Sequence, residues 1–457
     1  MKVIVVGCGK IGTALVAGLA EEGHDVVAVD TDPQVIEEIT NIYDVMGVCG
    51  SGTDYDTLLE ADVQNTDLMV AVTALDELNM LSCYIGGKMG AAHTIARIRR
   101  PEYNIGILPQ HLGLSMSINP EQLAAKKIYN ILQLPFAVKT EMFSQKSFEI
   151  VEMILKEDSK LVGVHLKEIR SKFKQNFLVC AVQRGETVCI PDGDFILCQG
   201  DKIGLVAAPS EINKLMRALG VLGKQARNVM ILGGSRVAYY LAKMLSSWSF
   251  SVKIIDQDRN VCTELSKVLP PKTVIIHGDG ARQELLKEEG IEMMDAFVSL
   301  TGMDEENILI SIFAAVSKVP KVIAKVNRPE LISMAQKLGL DCIISPRKIV
   351  SDVVLRYARA LENSKGSNVE TLYKIMDGKA EVLEFNVSSD FEGKNIPLKD
   401  LTLKENILIG GIYHGKKVII PSGFDQIMAG DKVIVISSGW HLNDLSDILQ
   451  TKGVKYE

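Results

Sequence analysis

Gly7, Gly9 and Gly12 stand in the spacing G-x-G-x-x-G, directly after the apolar run Val3 to Val6, and an acid, Asp30, follows Gly12 by eighteen residues. This pattern is suited to holding a dinucleotide. Gly7 permits a tight turn, Gly9 lets a pyrophosphate approach the backbone, and Gly12 lets the following helix pack closely on the strand. Asp30 can accept hydrogen bonds from both hydroxyls of an adenosine ribose and would repel a 2′-phosphate, which favours NAD(H) or an adenine nucleotide over NADP. Unpaired N–H groups at the helix start, with roughly half a positive charge, are where a phosphate is stabilised.

Such residues work only if strand, turn, helix and strand hold them. Val3 to Val6 is β-branched and unalternating, as in a parallel strand buried on both faces, and Thr13 to Glu22 reads as the helix. A helix beginning near Pro33, a short segment Val45 to Gly52 and a helix near Asp56 to Asp62 continue a βαβαβ alternation. Leu68 to Thr73 is a buried strand, Thr94 to Pro101 is the next, and Ile118-Asn119-Pro120 closes the sheet before a helical pattern through Leu132 to Pro135. Asp76 and Glu77 are expected to cap a helix starting near Asn79 rather than to act as a catalytic pair. Arg97 and Arg99 share one face of their strand and Arg100 points to the other.

The pattern is written twice. Gly233, Asp256 and Asp258 repeat Gly7, Asp30 and Asp32 at an offset of 226. Thr301 to Asn307 repeats Thr73 to Asn79, and Ala324 to Glu330 repeats Ala96 to Glu102, both at an offset of 228. Behind each copy lies a smaller match: Gly163 with Gly393, Pro191 with Pro421 and Gly200-Asp201-Lys202 with Gly430-Asp431-Lys432, at an offset of 230. Strands such as Leu178 to Val182 and Val433 to Ser437, with a closing helix near Pro209 to Leu219 or Trp440 to Gln450, predict small open sheets with helices. Polar connections are expected at Lys139 to Lys146, Gly220 to Arg227 and Glu362 to Ser367. The fold class is therefore α/β: two doubly wound Rossmann-like nucleotide-binding domains, 1–135 and 225–362, each followed by a small α+β domain, 136–224 and 363–457. Ile349, Val350, Val353, Val354, Tyr357 and Leu361 form one apolar helix face, which packs either on its own sheet or across a repeat or subunit interface.

A formal charge of −7 over 457 residues, with 5% aromatic residues, argues against a nucleic-acid surface. A buried strand beginning at residue 3 leaves no room for a signal peptide, and no apolar run approaches the length of about 20 residues that spans a bilayer, so a cytoplasmic protein is expected. Of the eight cysteines, Cys8, Cys83 and Cys262 read as core thiols. Cys180, Cys189 and Cys198 fall in separate predicted strands rather than in a metal cluster.

The glycine turn, Val-Asp-Thr-Asp, Thr-x-x-Asp-Glu-x-Asn and Ala-Arg-Ile-Arg-Arg-Pro-Glu together resemble the RCK or KTN regulatory domains of potassium channels and transporters. The tandem arrangement, over essentially the whole chain, is similar to the TrkA family of cytosolic potassium-uptake subunits. This resemblance implies a homo-oligomer, dimer or tetramer, peripheral on the cytoplasmic face of the membrane. It would bind NAD(H), with ATP or ADP as the other candidate ligands, and gate a TrkH-type potassium transporter membrane subunit. It also implies that Gly7, Cys8, Gly9, Lys10, Ile11, Asp30, Thr73, Ala74 and Arg97 contact nucleotide. In the second copy the matching residues are Gly233, Gly234, Ser235, Arg236, Val237, Asp256, Thr301 and Lys325. That copy departs from the pattern. Ser235 and Ala238 replace the second and third glycines, narrowing the approach for a pyrophosphate, and Lys325 gives a point charge where Arg97 has a planar fork. Arg97, Arg99 and Arg100 are the candidates for sensing an extra phosphate.

An NAD-dependent dehydrogenase is the rival reading. It needs a proton-transfer group near the nicotinamide, whereas the seven histidines form no matched pair between the repeats and no metal-ligand spacing. The sequence therefore points to a switch rather than to an enzyme.

Overall fold

In a computed structural model the chain is described at residues 1–103, 111–134, 136–142, 148–219, 226–247, 250–363, 369–415, 417–440, 442 and 444–450. Contacts divide it into two compact units, Met1–Tyr129 with Ala226–Ala358 and Asn130–Gln225 with Arg359–Glu457. Modules of one kind therefore associate, although they alternate along the chain.

The first module begins with β1 (Lys2–Val6), whose Val3, Ile4 and Val5 are completely buried. It is joined by β2 (Asp25–Asp30), β3 (Met46–Cys49), β4 (Leu68–Ala71), β5 (His93–Arg97) and β6 (Met116–Ile118). All pair in parallel in the order β3-β2-β1-β4-β5-β6, with Val3 opposite both Val26 and Leu68. The strand order reverses between β2 and β4, so a crevice opens beyond the carboxyl end of β1. The helix Lys10–Glu21 starts at that edge, three residues before the sequence pattern placed it.

The second module, β7 (Lys139–Met142), β8 (Glu149–Ile154), β9 (Phe177–Arg184), β10 (Thr187–Cys189) and β11 (Lys202–Ala207), is an antiparallel sheet in the order β10-β9-β11-β8-β7. The predicted helix is present as Pro209–Leu219. Lys139–Met142 is a strand rather than a polar connection; Pro135 and most of the three predicted connections lie outside the described residues. Cys180 is buried in β9 and Cys189 ends β10, but Cys198 sits in an exposed turn and not in a strand.

The third module repeats the first: β12 (Asn228–Leu232), β13 (Ser251–Asp256), β14 (Thr273–His277), β15 (Ala296–Ser299), β16 (Lys321–Lys325) and β17 (Cys342–Ile344), ordered β14-β13-β12-β15-β16-β17. The fourth repeats the second with β18 (Val369–Ile375), β19 (Ala380–Asn386), β20 (Ile407–His414), β21 (Lys417–Ile419) and β22 (Lys432–Ser437), ordered β18-β19-β22-β20-β21. Its predicted closing helix is reduced, among the described residues, to a 3₁₀ turn at Leu445–Ile448.

Within each unit the two copies share packed surface. The small modules have a common core in which Phe148 meets Tyr413 edge-on at 5.3 Å, and a Cβ on Gly411 would fall 2.7 Å from the Phe148 ring. In the larger unit the helix Pro346–Asn363 crosses onto the first module. A Cβ on Gly18 would lie 3.1 Å from Leu355, Ser351 Oγ donates to the Ala14 carbonyl at 3.4 Å, and Tyr357 stands edge-on to His93. This helix thus serves a repeat interface, through Tyr357 of its predicted apolar face and through Ser351 and Leu355 outside that face.

Candidate functional site

Gly7 has φ +88° and Gly233 has φ +92°, the left-handed region that a side chain disfavours. A Cβ on Gly7 would also lie 2.7 Å from the Thr73 backbone nitrogen, so this turn needs glycine in the folded chain whatever binds there. Gly12 lies inside its helix, and a Cβ there would fall 1.9 Å from the Gly7 carbonyl oxygen. Gly9 differs. It is the N-cap of the helix, no side chain caps that end, and a Cβ on it would meet nothing within 4 Å. The free space and the orphan N–H groups face the same opening.

Asp30, at the end of β2, already serves the turn: Oδ2 accepts from the Cys8 backbone N–H at 2.6 Å and Oδ1 from that of Asp32 at 3.0 Å. Asp256 does the same for Gly234 and Asp258, at 2.6 and 2.7 Å. Each oxygen keeps a lone pair for a further donor. The Cys8 side chain points into the core, where burial, reinforced by Asp30, pushes its thiol up to about 12; its contribution to the site is its backbone N–H.

Thr73 is held by Asn79, whose Oδ1 accepts from the Thr73 N–H and hydroxyl, both at 2.7 Å, while its Nδ2 donates to the carbonyls of Thr73 and Arg97. Asn307 does this for Thr301 and Lys325. Both asparagines are completely buried, and their place in the repeated Thr-x-x-Asp-Glu-x-Asn pattern was the signal for this positioning role. Asp76 does not cap a later helix. The helix Asp76–Met89 begins on it, and its buried carboxylate accepts from the backbone N–H groups of Arg99 and Arg100, both at 2.8 Å, and from Arg99 Nε at 3.3 Å. Asp304 repeats the arrangement with Asn327 and Arg328.

These elements enclose a cavity of about 880 Å³. From the first module it is lined by Gly7, Gly9, Lys10, Ile11, Asp30, Thr73, Ala74, Arg97 and Arg99, together with Gly50-Ser51-Gly52, which sequence reasoning noted as a segment end but did not place in the site. The second copy contributes Ser235, Arg236, Val237, Lys325, Asn327 and Arg347. The first cleft therefore runs onto the glycine loop of the other repeat. Gly233, Gly234, Asp256 and Thr301 do not line this cavity and keep to their own turn. Arg100 is also absent from it, because it turns away to pair with Glu77 at 3.0 Å beside Tyr103.

The cavity is cationic, and several of its donors are buried. Burial, with Arg99 adding to it, lowers the pKa of Arg97, whose Nη1 donates to the Val72 and Thr73 carbonyls while its Nε is buried without a partner. Burial likewise lowers Lys325 and Arg347. The Ser235 hydroxyl is buried and unpaired. Glu121 is the acid on this wall, and the position related to it by an offset of 226 carries Arg347. A group with a pyrophosphate and a ribose fits this donor set: open backbone at Gly9, unsatisfied donors at Arg97 and Ser235, and a carboxylate at Asp30.

Fold and site define a doubled dinucleotide-fold protein with paired antiparallel accessory modules. The TrkA-N domain family matches residues 3–120 and 229–346, and the TrkA-C domain family residues 150–220 and 382–450. The Trk system potassium uptake protein TrkA of Haemophilus influenzae is 32% identical over 452 residues, 96% of either chain. TrkA homolog 1 of Methanosarcina mazei is 30% identical over 447 residues, 96% of this chain and 97% of its own. The chain belongs to the TrkA family of Trk system potassium uptake proteins, which are regulators and not dehydrogenases. Among solved structures, the GsuK RCK domain superposes with TM-score 0.63 at 16% identity, covering 96% of this chain and 92% of that one. The GsuK channel bound to NAD gives 0.63 at 17%, covering 96% and 77%. At such identities the likeness establishes the RCK fold. Among the described residues no helix is long and apolar enough to cross a membrane.

Proposed function

We propose that this chain is the nucleotide-sensing subunit that gates a TrkH-type potassium transporter from the cytoplasmic face of the membrane, acting as a homo-oligomer of modules 1–135, 136–224, 225–362 and 363–457. NAD(H) or ATP/ADP is its signal. The observation that carries the reading is the shared cavity: the ribose-side acid, Asp30, belongs to one repeat, and half of the phosphate-side cations, Arg236, Lys325 and Arg347, belong to the other. An anion bound there reports on the spacing of the two repeats. Nucleotides that differ by a phosphate would then stabilise different spacings, because a ligand shifts a conformational equilibrium only by its differential affinity. A charge-assisted hydrogen bond of roughly 1.5 to 3 kcal/mol per contact is enough to do so.

In this reading Gly7, Gly9, Lys10 and Ile11 hold the pyrophosphate by backbone and charge, and Thr73, Ala74 and Arg97 close the far side. The relatives' names support the potassium-uptake role, and the GsuK channel bound to NAD supports a dinucleotide in this fold. The test is calorimetry of the purified chain with NADH, ATP and ADP, combined with copurification of a TrkH-type membrane subunit. Binding without oxidation of NADH, and nucleotide-dependent association or potassium flux, is the expected result. Absence of affinity for every adenine nucleotide would overturn it.

A further inference from the structure

Arg99 lines the cavity, and its peptide is gripped from both sides. Its N–H donates to Asp76 of its own module at 2.8 Å, and its carbonyl accepts from Asn119 Nδ2 at 3.1 Å and from the hydroxyl of Tyr240 at 3.3 Å. Asn119 Nδ2 also lies 3.1 Å from the Tyr240 oxygen, so the three groups form a closed triangle. Tyr240 belongs to the other repeat. It is 9% exposed and sits on the helix Arg236–Ser246, whose N-cap, Ser235, and first residues, Arg236 and Val237, line the same cavity. Tyr240 itself does not line it. One helix therefore presents its N-terminus to the cavity and, one turn further on, holds the backbone of an arginine of the other repeat.

We infer that Tyr240 is a positioning residue for the nucleotide site of the first module, acting through the Arg99 carbonyl, and that it makes the affinity of that site depend on the second repeat. This rests on the reading that the cavity binds nucleotide. The link runs in one direction only. The residue related to Tyr240 by the offset of 226 is Ala14, which has no hydroxyl and meets the second copy through its carbonyl, as acceptor from Ser351. A displacement of the Arg236–Ser246 helix moves Tyr240, hence the Arg99 peptide, and hence the guanidinium that Asp76 and the Ala74 carbonyl orient. Because the helix N-terminus faces the phosphate end, ligands that differ in their phosphates feel the link unequally.

The experiment is calorimetric titration of the full chain with ATP and with NADH, for wild type, Tyr240→Phe and the neighbouring control Tyr239→Phe. Removing the Tyr240 hydroxyl, and with it the bonds to the Arg99 carbonyl and from Asn119, should shift the ratio of ATP to NADH affinity by about fivefold, whereas Tyr239→Phe leaves it within about 1.5-fold. Asn119→Ser, which withdraws the amide donor but keeps a capping hydroxyl for the helix Pro120–Gln133, should shift the ratio in the same direction. Thermal melts without ligand give the second readout. A purely structural role would lower stability and scale both affinities alike, so a ratio unchanged in Tyr240→Phe and Asn119→Ser overturns the inference. If wild type binds neither nucleotide, the binding reading itself fails, and this is seen before any variant is compared.

Discussion

Asp76 accepts the backbone N–H groups of Arg99 and Arg100 on a single carboxylate oxygen, each at 2.8 Å, although the three residues are separated by a whole helix and strand. The carboxylate is buried and its other oxygen faces Arg99 Nε, so its removal leaves two N–H donors and a cation without their acceptor. Breaking such an arrangement costs about 3 kcal/mol. Asp76→Ala should therefore lower the denaturant midpoint of the chain and weaken nucleotide binding together. Asp304→Ala should destabilise to a similar extent with a smaller loss of affinity, because the cavity-lining residue it holds is the neutral Asn327, where Asp76 holds the cation Arg99. Chemical denaturation and calorimetry on the same preparations check both statements.

Gly9 and Gly12 separate function from folding. No atom lies within 4 Å of a Cβ on Gly9, so Gly9→Ala should leave the melting temperature near that of wild type while reducing nucleotide affinity by about tenfold or more, since the methyl group occupies the approach of a pyrophosphate. A Cβ on Gly12 meets the Gly7 carbonyl at 1.9 Å, and Gly12→Ala should destabilise the chain by about 1 to 3 kcal/mol as helix and strand are forced apart. A Gly9→Ala protein that binds as wild type does would place the phosphates elsewhere.

The glycine spacing, the strand-end acids and the repeat made the two Rossmann sheets and their accessory modules legible, because each is written in residue types that backbone geometry demands: glycine at the positive φ of Gly7 and Gly233, and unalternating apolar strands under two helical layers. What could not be read is what crosses between distant segments. Asp76 sits where a cap is expected, and only the return of the chain at Arg99 and Arg100 gives its carboxylate a different use. Strand alternation put Arg100 on the face opposite Arg97 and Arg99, but only the contacts of Glu77 with Arg100 and Tyr103 show that it is held outside the cavity and is not a phosphate ligand there. The alternating order of modules likewise conceals that like associates with like, which is why Arg236, Lys325 and Arg347 join the first site.

Asp30 and Asp256 hold their own glycine loops with nearly the same bonds, 2.6 Å to the turn in both, but only Asp30 lines the cavity. Replacing either by Ala should cost a comparable amount of stability, through the two N–H groups each releases. Nucleotide affinity should respond differently: Asp30→Ala loses the ribose acceptor and about tenfold or more in NADH binding, and Asp256→Ala changes it by a few-fold at most. Equal losses in calorimetry would show that the second turn carries a site of the same strength.

Glu149 in β8 is buried, and burial alone raises its carboxyl from 4.5 to about 7. In the folded chain it stays protonated at a pH where the unfolded chain has already lost that proton. Between about pH 4.5 and 7 the native state therefore binds more protons than the unfolded one, and stability falls as pH rises through that window, levelling off above it. Glu149→Gln keeps the neutral shape and removes the titration. The variant should match wild type near pH 5 and be the more stable protein near pH 8, an excess read from paired denaturation curves at the two values. Its second-copy counterpart, Glu381 by the strand alignment, has Arg359 at 3.7 Å, so Glu381→Gln breaks an ion pair and should lower stability instead. A Glu149→Gln protein whose stability follows wild type in parallel at both pH values would mean that the carboxylate is charged and accommodated in the native sheet.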